Sequence, residues 1–262
     1  MKKMKGVTVV FVIDQKRCLR CGLCVGACPM SLFHQTEDGT VAIREGRCLS
    51  CFHCAAVCPA EAISHDQLGA AALPLPTDDS LLSKFQRRRA IRRFKPDTPD
   101  RAAIRAALDG AAYGPSAKND RAYQWTVVLG KDTVDRLYQI YLNWARSIPE
   151  LRVLVWLARR GVNPVTCGAP CLVLVHCPDG CANPHSDSVI AATLAEQLLA
   201  DAGLGTCWGG YFQRAVDLCP DLAQALSIPE GHKVYAALMV GIPDEHYPRI
   251  PYRPEASIRW VE

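Results

Sequence analysis

Eight cysteines define the chemistry open to this chain. Cys18, Cys21, Cys24 and Cys28 run up to Pro29, and Cys48, Cys51, Cys54 and Cys58 run up to Pro59, so the rhythm C-x-x-C-x-x-C-x-x-x-C-P occurs twice. A zinc ribbon needs only paired C-x-x-C knuckles, which leaves the third cysteine and the proline-flanked fourth without a purpose. A disulfide framework belongs to small secreted chains, whereas this one has 262 residues and no expected signal peptide. The remaining chemistry is iron–sulfur ligation.

The doubled run resembles that of two-cluster bacterial ferredoxins. The resemblance implies two 4Fe–4S clusters, each capped by three closely spaced thiolates and completed by the fourth thiolate of the other run. One cluster would be held by Cys18, Cys21, Cys24 and Cys58, and the other by Cys48, Cys51, Cys54 and Cys28.

The bulk composition narrows the setting. At 49% hydrophobic content the chain can bury a sizeable core in one or two domains. A net charge of +4, with no aromatic-interleaved basic stripe, gives no case for a nucleic-acid partner. The apolar run Val7–Ile13 is too short to span a membrane and reads as a buried strand. Fourteen cysteines without an export signal imply a reducing cytoplasm.

Residues 1–68 are expected to form the cluster module, 69–80 a linker and 81–262 a second domain. In the module, Ser31–Ile43 alternates around Asp38-Gly39 as a hairpin, and Ala60–Ser64 is its counterpart after Pro59. The stretch GAAALPLPTDDS, Gly69–Ser80, has linker composition. Beyond it, Leu81–Phe94, Arg101–Tyr113, Val134–Ala145, Leu151–Arg160 and Ser188–Ala202 have helical spacing, the second of them opened by Pro99-Asp100 as a start signal. Trp125–Leu129, Cys171–His176 and Val234–Val240 read as buried strands. The expected class is α+β, a ferredoxin-like module followed by an α/β domain.

Four segments of the second domain carry a further signal: RRRAIRRF (Arg87–Phe94), GPSAKND (Gly114–Asp120), GAPCLVLVH (Gly168–His176) and TLAEQLLADAGLGTCWGGYF (Thr193–Phe212). An isolated arginine run is usually a solvated face. In this order and spacing, however, the four resemble the nitroreductase family of FMN-dependent oxidoreductases, and most closely the subgroup preceded by a two-cluster ferredoxin module. The resemblance implies an FMN site. Arg88 and Arg92, one helical turn apart, would clamp the phosphate, since planar guanidinium forks suit it. Arg89 would face the isoalloxazine edge, and Ala90 stands where the family usually has a serine. Pro115, Ser116, Ala117 and Asn119 match a turn that reaches the partner subunit's flavin in a homodimer. There the family often continues Gln-Pro-Trp, where this chain has Arg121-Ala122-Tyr123. Gly205, Trp208, Gly209 and Gly210 match the loop beneath the flavin ring, and a last phosphate cation falls at Arg249 or Arg253, with Arg253 favoured.

Other residues invite less. Cys167, Cys171, Cys177, Cys181, Cys207 and Cys219 follow no metal-binding rhythm. His176 reads as a packed histidine, His185 and Asp187 as caps, and Glu196 as a buried structural carboxylate. The expected activity is reduction of a small electron-poor acceptor, such as a nitroaromatic, quinone or enone. Electrons would arrive through the clusters from an external ferredoxin or flavodoxin, with NAD(P)H as the other donor. The alternatives are an electron-transfer protein without a substrate, a dehalogenase, or a flavin-modifying enzyme. No catalytic side chain is assigned.

Overall fold

The computed structural model describes residues 11–65 and 72–262. In chain order the first elements are β1 (Phe11–Ile13), α1 (Leu23–Ala27), β2 (Phe33–Gln35), β3 (Val41–Ile43), α2 (His53–Val57), β4 (Ile63–His65), β5 (Ala72–Pro74) and α3 (Leu81–Arg87). Then come α4 (Arg101–Ala111), β6 (Gln124–Leu129), α5 (Lys131–Ala145), α6 (Arg152–Ala158), β7 (Cys171–Pro178), α7 (Pro184–Asp201) and β8 (Gly205–Trp208). The chain continues through α8 (Gly210–Val216), α9 (Pro220–Ala225) and β9 (His232–Gly241) and ends with β10 (Arg249–Pro251). The class is α+β, as the patterning suggests. Among the described residues no helix is long and apolar enough to cross a membrane.

The chain forms two compact units, and the first is discontinuous: residues 1–87 together with 246–262, with 88–245 making the second. In the first unit β1 pairs antiparallel with β4, and β2 with β3 across the expected Asp38-Gly39 turn. The expected strand Val7–Ile13 is described only from Phe11, and its earlier residues lie outside the described part. Phe11, Phe52 and His65 pack as an aromatic trio with ring centroids 5.2–5.6 Å apart. The stretch read as a linker, described from Ala72, contains β5. Its antiparallel partner is β10, with Ala72 opposite Pro251 and Pro74 opposite Arg249. Prolines suit this two-stranded ribbon because each strand has an open edge that needs no donor. Residues 246–262, expected to belong with the second domain, thus fold with the first unit.

The second unit is built on an antiparallel sheet in the order β6-β7-β9-β8. All of β7 before Pro178 is buried, as its unbroken apolar run requires. One cluster on this sheet joins α5 to Leu172, Leu174 and Phe212. Another packs α4 and α7 on Val173, Leu238 and Val240. Asp100 caps α4 as expected, its carboxylate accepting the Ala102 amide at 3.0 Å.

Two expectations fail here. The helix expected over Leu81–Phe94 stops at Arg87. Residues 88–94 run extended because two other backbones supply the partners that a helix would find within itself. Ile91 donates to the Thr206 carbonyl at 2.8 Å, Ala90 bridges Thr206 in parallel, and Phe94 bridges Pro243. Lys95 and Ile242 continue the same zipper at 2.9 Å. The second concerns Gly205–Trp208, read as loop, which is the strand β8 paired with β9. Gly205 serves packing there: a Cβ on it would lie 2.8 Å from Ile91 Cγ2, so only glycine admits the extended 88–94 strip.

Candidate functional site

The two cysteine runs fold as near-copies. Each contains a helix of five residues, and each enters it through a left-handed residue, Gly22 at φ 73° and Phe52 at φ 62°. Arg20 and Ser50, and again Ser31 and Glu61, repeat the left-handed conformation in register. These bends turn backbone amides towards sulfur. Arg20 N donates to Cys18 Sγ, Ser50 N to Cys48 Sγ, Leu32 N to Cys28 Sγ and Ala62 N to Cys58 Sγ, each at 3.4 Å. Such bonds stabilise thiolates and tune whatever they ligate.

The runs are interleaved. Cys18, Cys21, Cys24 and Cys58 line one cavity. Cys28, Cys48, Cys51 and Cys54 line a second. Burial first, then the neighbouring Cys58, Cys21 and Cys18, pushes the Cys24 thiol up to about 11. Burial, followed by Cys51, Cys28 and Cys48, likewise raises Cys54. Thiolates crowded in this way repel one another until a cationic core neutralises them. Among the described residues no three His, Cys, Asp or Glu side chains gather tightly enough for a single metal ion. Four sulfurs spread around such a space suit a multi-iron core better than one zinc, which would draw them to about 2.3 Å. The donor set fits the expected clusters.

In the second unit the arginine strip meets a buried carboxylate. Glu196, on α7 and 7% exposed, accepts Arg88 Nη1 at 3.2 Å, while Arg88 is 31% exposed. Thr206 Oγ1 donates to the same carboxylate at 3.2 Å and Trp208 Nε1 at 3.0 Å. Glu196 is thus a satisfied structural carboxylate, as expected, and it occupies one nitrogen of Arg88. The helical clamp expected of Arg88 and Arg92 does not form, because these residues are extended. Alternation nevertheless leaves Arg88, Ala90 and Arg92 on one side of the strip. Arg92 gives its amide to Glu245 at 2.8 Å and its Nη1 to the Ala90 carbonyl at 3.2 Å. Both guanidinium groups act on Cys207, whose thiol burial nonetheless raises. Burial, then Cys207, pushes nearby Cys167 up to about 12.

The turn after α4 contains Pro115 and Ser116 and a 3-10 turn over Ala117–Asn119. Asp187, expected to be a cap, does not cap its helix. Its carboxylate reaches back to the Ala117 amide, at 3.0 and 3.1 Å. Ser116 Oγ accepts the Arg121 amide at 3.1 Å. His185 packs edge-on to Tyr235 instead of capping. Gly209 donates to the Ala237 carbonyl at 2.8 Å, and Gly210 opens α8. Arg253 is exposed in the returning segment and donates to the Tyr252 carbonyl. Arg249 is engaged elsewhere: its guanidinium donates to the carbonyls of Ala55, at 2.8 Å, and Cys58. The link from Arg249 to α2 and the cysteine after it spans 191–194 residues and leaves no local sequence signal.

His176 is packed as expected, with Nε2 3.0 Å from Thr126 Oγ1 and Nδ1 2.8 Å from Nδ1 of His232. Burial, then the charge of His232, lowers it from 6.5 to about 4. The unfolded chain takes up this proton at higher pH than the folded one. The contribution to stability is therefore complete above ~6.5 and lost as pH falls towards about 4. Thermal unfolding is expected to show the melting temperature falling across that window, with a flatter profile in His176→Gln. Parallel profiles would assign the acid sensitivity to other groups.

Comparison with known proteins agrees with this geometry. Residues 85–242 match the model of the nitroreductase family, and residues 11–59 match a 4Fe-4S dicluster domain. A nitroreductase with bound FMN from Desulfitobacterium hafniense DCB-2 superposes with a TM-score of 0.59 at 21% identity, covering 69% of this chain and 97% of its own. One from Bacteroides fragilis NCTC 9343, also with bound FMN, gives 0.56 at 20% identity, covering 70% and 96%. An iodotyrosine deiodinase bound to FMN and 3-iodo-L-tyrosine gives 0.54 at 20% identity, covering 70% and 100%. At these identities the likeness is one of fold. The family match spans more than half of the chain, which belongs to the nitroreductase family and carries a 4Fe-4S dicluster domain at its N-terminal end.

Proposed function

We propose that this protein is an FMN-dependent reductase with a built-in two-cluster ferredoxin, passing electrons to a small electron-poor organic acceptor. The observation that carries the reading is the crosswise pairing of the cysteine runs in a chain whose other unit is a nitroreductase domain. FMN, when bound, gathers electrons and delivers them as a hydride or one at a time. The protein's part is to hold it and shape the space beside it. Arg92 is best suited to the phosphate, since Arg88 already serves Glu196. Arg89, Ala90, Trp208, Gly209 and Gly210 would flank the ribityl chain and ring, with Gly205 allowing the strip to pack.

We further assign Pro115, Ser116, Ala117 and Asn119 to the flavin of a partner subunit in a homodimer. The family match over residues 85–242 is what supports that assignment. A reduced ferredoxin or flavodoxin is the favoured donor, since a chain holding its own clusters needs no hydride to stack on the flavin. Anaerobically purified protein should show overlapping flavin and iron–sulfur absorption and sediment as a dimer. Titration with a nitroaromatic, a quinone and an enone should reoxidise it. Reduced clusters and flavin that none of these reoxidises would favour a pure electron carrier.

Arg92→Ala is expected to weaken FMN binding by about 1.5–3 kcal/mol, as for one lost charged hydrogen bond. Riboflavin, which has no phosphate, should bind the variant and the parent equally. Equal losses for both ligands, measured by fluorescence titration, would remove Arg92 from the phosphate site.

A further inference from the structure

The first unit is assembled partly from the end of the chain, and that end brings a cation to one of the two cysteine sets. Tyr247 packs against His53 at 5.4 Å, and Tyr252 against Phe52 at 6.2 Å. Between them Arg249, its side chain 12% exposed, donates through Nη2 to the carbonyls of Ala55 and Cys58. Its Nη1 lies 3.5 Å from Glu61 Oε2, an exposed carboxylate that also faces Arg17 at 3.7 Å. Arg249 therefore sits at the C-terminal end of α2, bonded to the peptide of a cysteine whose sulfur faces Cys18, Cys21 and Cys24.

Because the runs repeat position by position, the backbone alone makes the two sets nearly equivalent. Between Cys18–Leu32 and Cys48–Ala62 two positions differ in charge, Arg20 against Ser50 and Ser31 against Glu61, and both charged side chains are exposed, so solvent and salt weaken their fields. Arg249 is not screened in this way. We propose that Arg249 is a positioning residue that raises the reduction potential of the cluster held by Cys18, Cys21, Cys24 and Cys58 above that of its neighbour. This rests on the reading that the chain binds two clusters.

The step concerned adds one electron from a low-potential donor, with no proton and no bond broken, so the cluster becomes more negative by one charge. A guanidinium bonded to the peptide of a ligand stabilises that extra charge, and Glu61 opposes it. Unequal potentials give transfer a direction: the cluster of Cys18, Cys21, Cys24 and Cys58 becomes the one on which an electron rests.

The test is a mediated redox titration of the full chain, followed by EPR, after iron and inorganic sulfide have been counted. A parent protein holding a single cluster would overturn the underlying reading, and this inference with it, before any potential is measured. With two clusters present, Arg249→Gln should lower the reduced-to-oxidised ratio of one cluster about tenfold at fixed potential, ~59 mV for a one-electron couple. That cluster should be the one whose signal Cys58→Ser alters. Glu61→Gln should move the same cluster the opposite way, by a few-fold, and Arg249→Lys should stay within about twofold of the parent because it keeps the charge. Damage to packing would not reverse sign between Arg249→Gln and Glu61→Gln. Unchanged potentials, or shifts of one sign in both variants, would overturn the proposal.

Discussion

Cys28→Ala is expected to destroy the cluster of Cys48, Cys51 and Cys54 and spare the one built on the cysteines nearest to it in sequence. The reason lies in the interleaving: Cys28 lines the cavity of the second run, and Cys58 that of the first. A cluster held by three thiolates with an exposed fourth site is prone to iron loss, so iron should fall from about eight to about four per chain. The decisive comparison is between variants. The EPR spectrum of reduced Cys28→Ala should match that of Cys51→Ala, and Cys58→Ala should match Cys21→Ala. If Cys28→Ala matched Cys21→Ala instead, each run would serve its own cluster and the crosswise assignment would be wrong.

Deleting residues 246–262 is expected to cost the first unit much of its stability and its iron, although none of these residues is a cysteine. The deletion strips β10 from β5 and uncovers α2, every residue of which is buried in the intact chain. It removes Tyr247 and Ile250, both buried, at about 1.5–3 kcal/mol each. The charged bonds of Arg249 add about 1.5–3 kcal/mol. A cluster module this small has little core beyond its metal, so losses of that size rival its whole stability. Iron content after gel filtration, with unfolding followed at the cluster absorption band, reads the effect. Full iron and an unshifted transition would show that the returning segment is dispensable. The complementary truncation, removal of residues 1–69, falls partly outside the described residues. It would also leave β5 and β10 with no module to cover, so it does not cleanly separate the two units.

What could be read from the sequence was what local spacing dictates. The eight cysteines, the Asp38-Gly39 hairpin, the Asp100 cap and the long apolar helix α7 each depend on residues within a few turns of one another. The arginine strip misled for the converse reason. Arginine and alanine favour helix, and nothing near Ala90 reveals that Thr206 and Glu245 will take its neighbours' amides. The returning segment was invisible in the same way, since Arg249 and Cys58 meet only through the fold. Asp187 looked like a cap because it opens a helix, but its partner is Ala117, in a turn read as a separate motif.

The split first unit also sets an order of manufacture. Residues 246–262 leave the ribosome after the whole of 88–245, which at about 5–20 residues per second is a delay of roughly 8–30 seconds. Until then α2 has no cover and the carbonyl of Cys58 has no Arg249. The nitroreductase unit, contiguous in sequence, can fold during that interval, whereas the cysteine runs wait as soft, reactive thiols. A chain stalled before His246 should take up iron poorly and be cleared as an unfinished product. Redox-active iron would then accumulate only on chains whose nitroreductase unit is already complete.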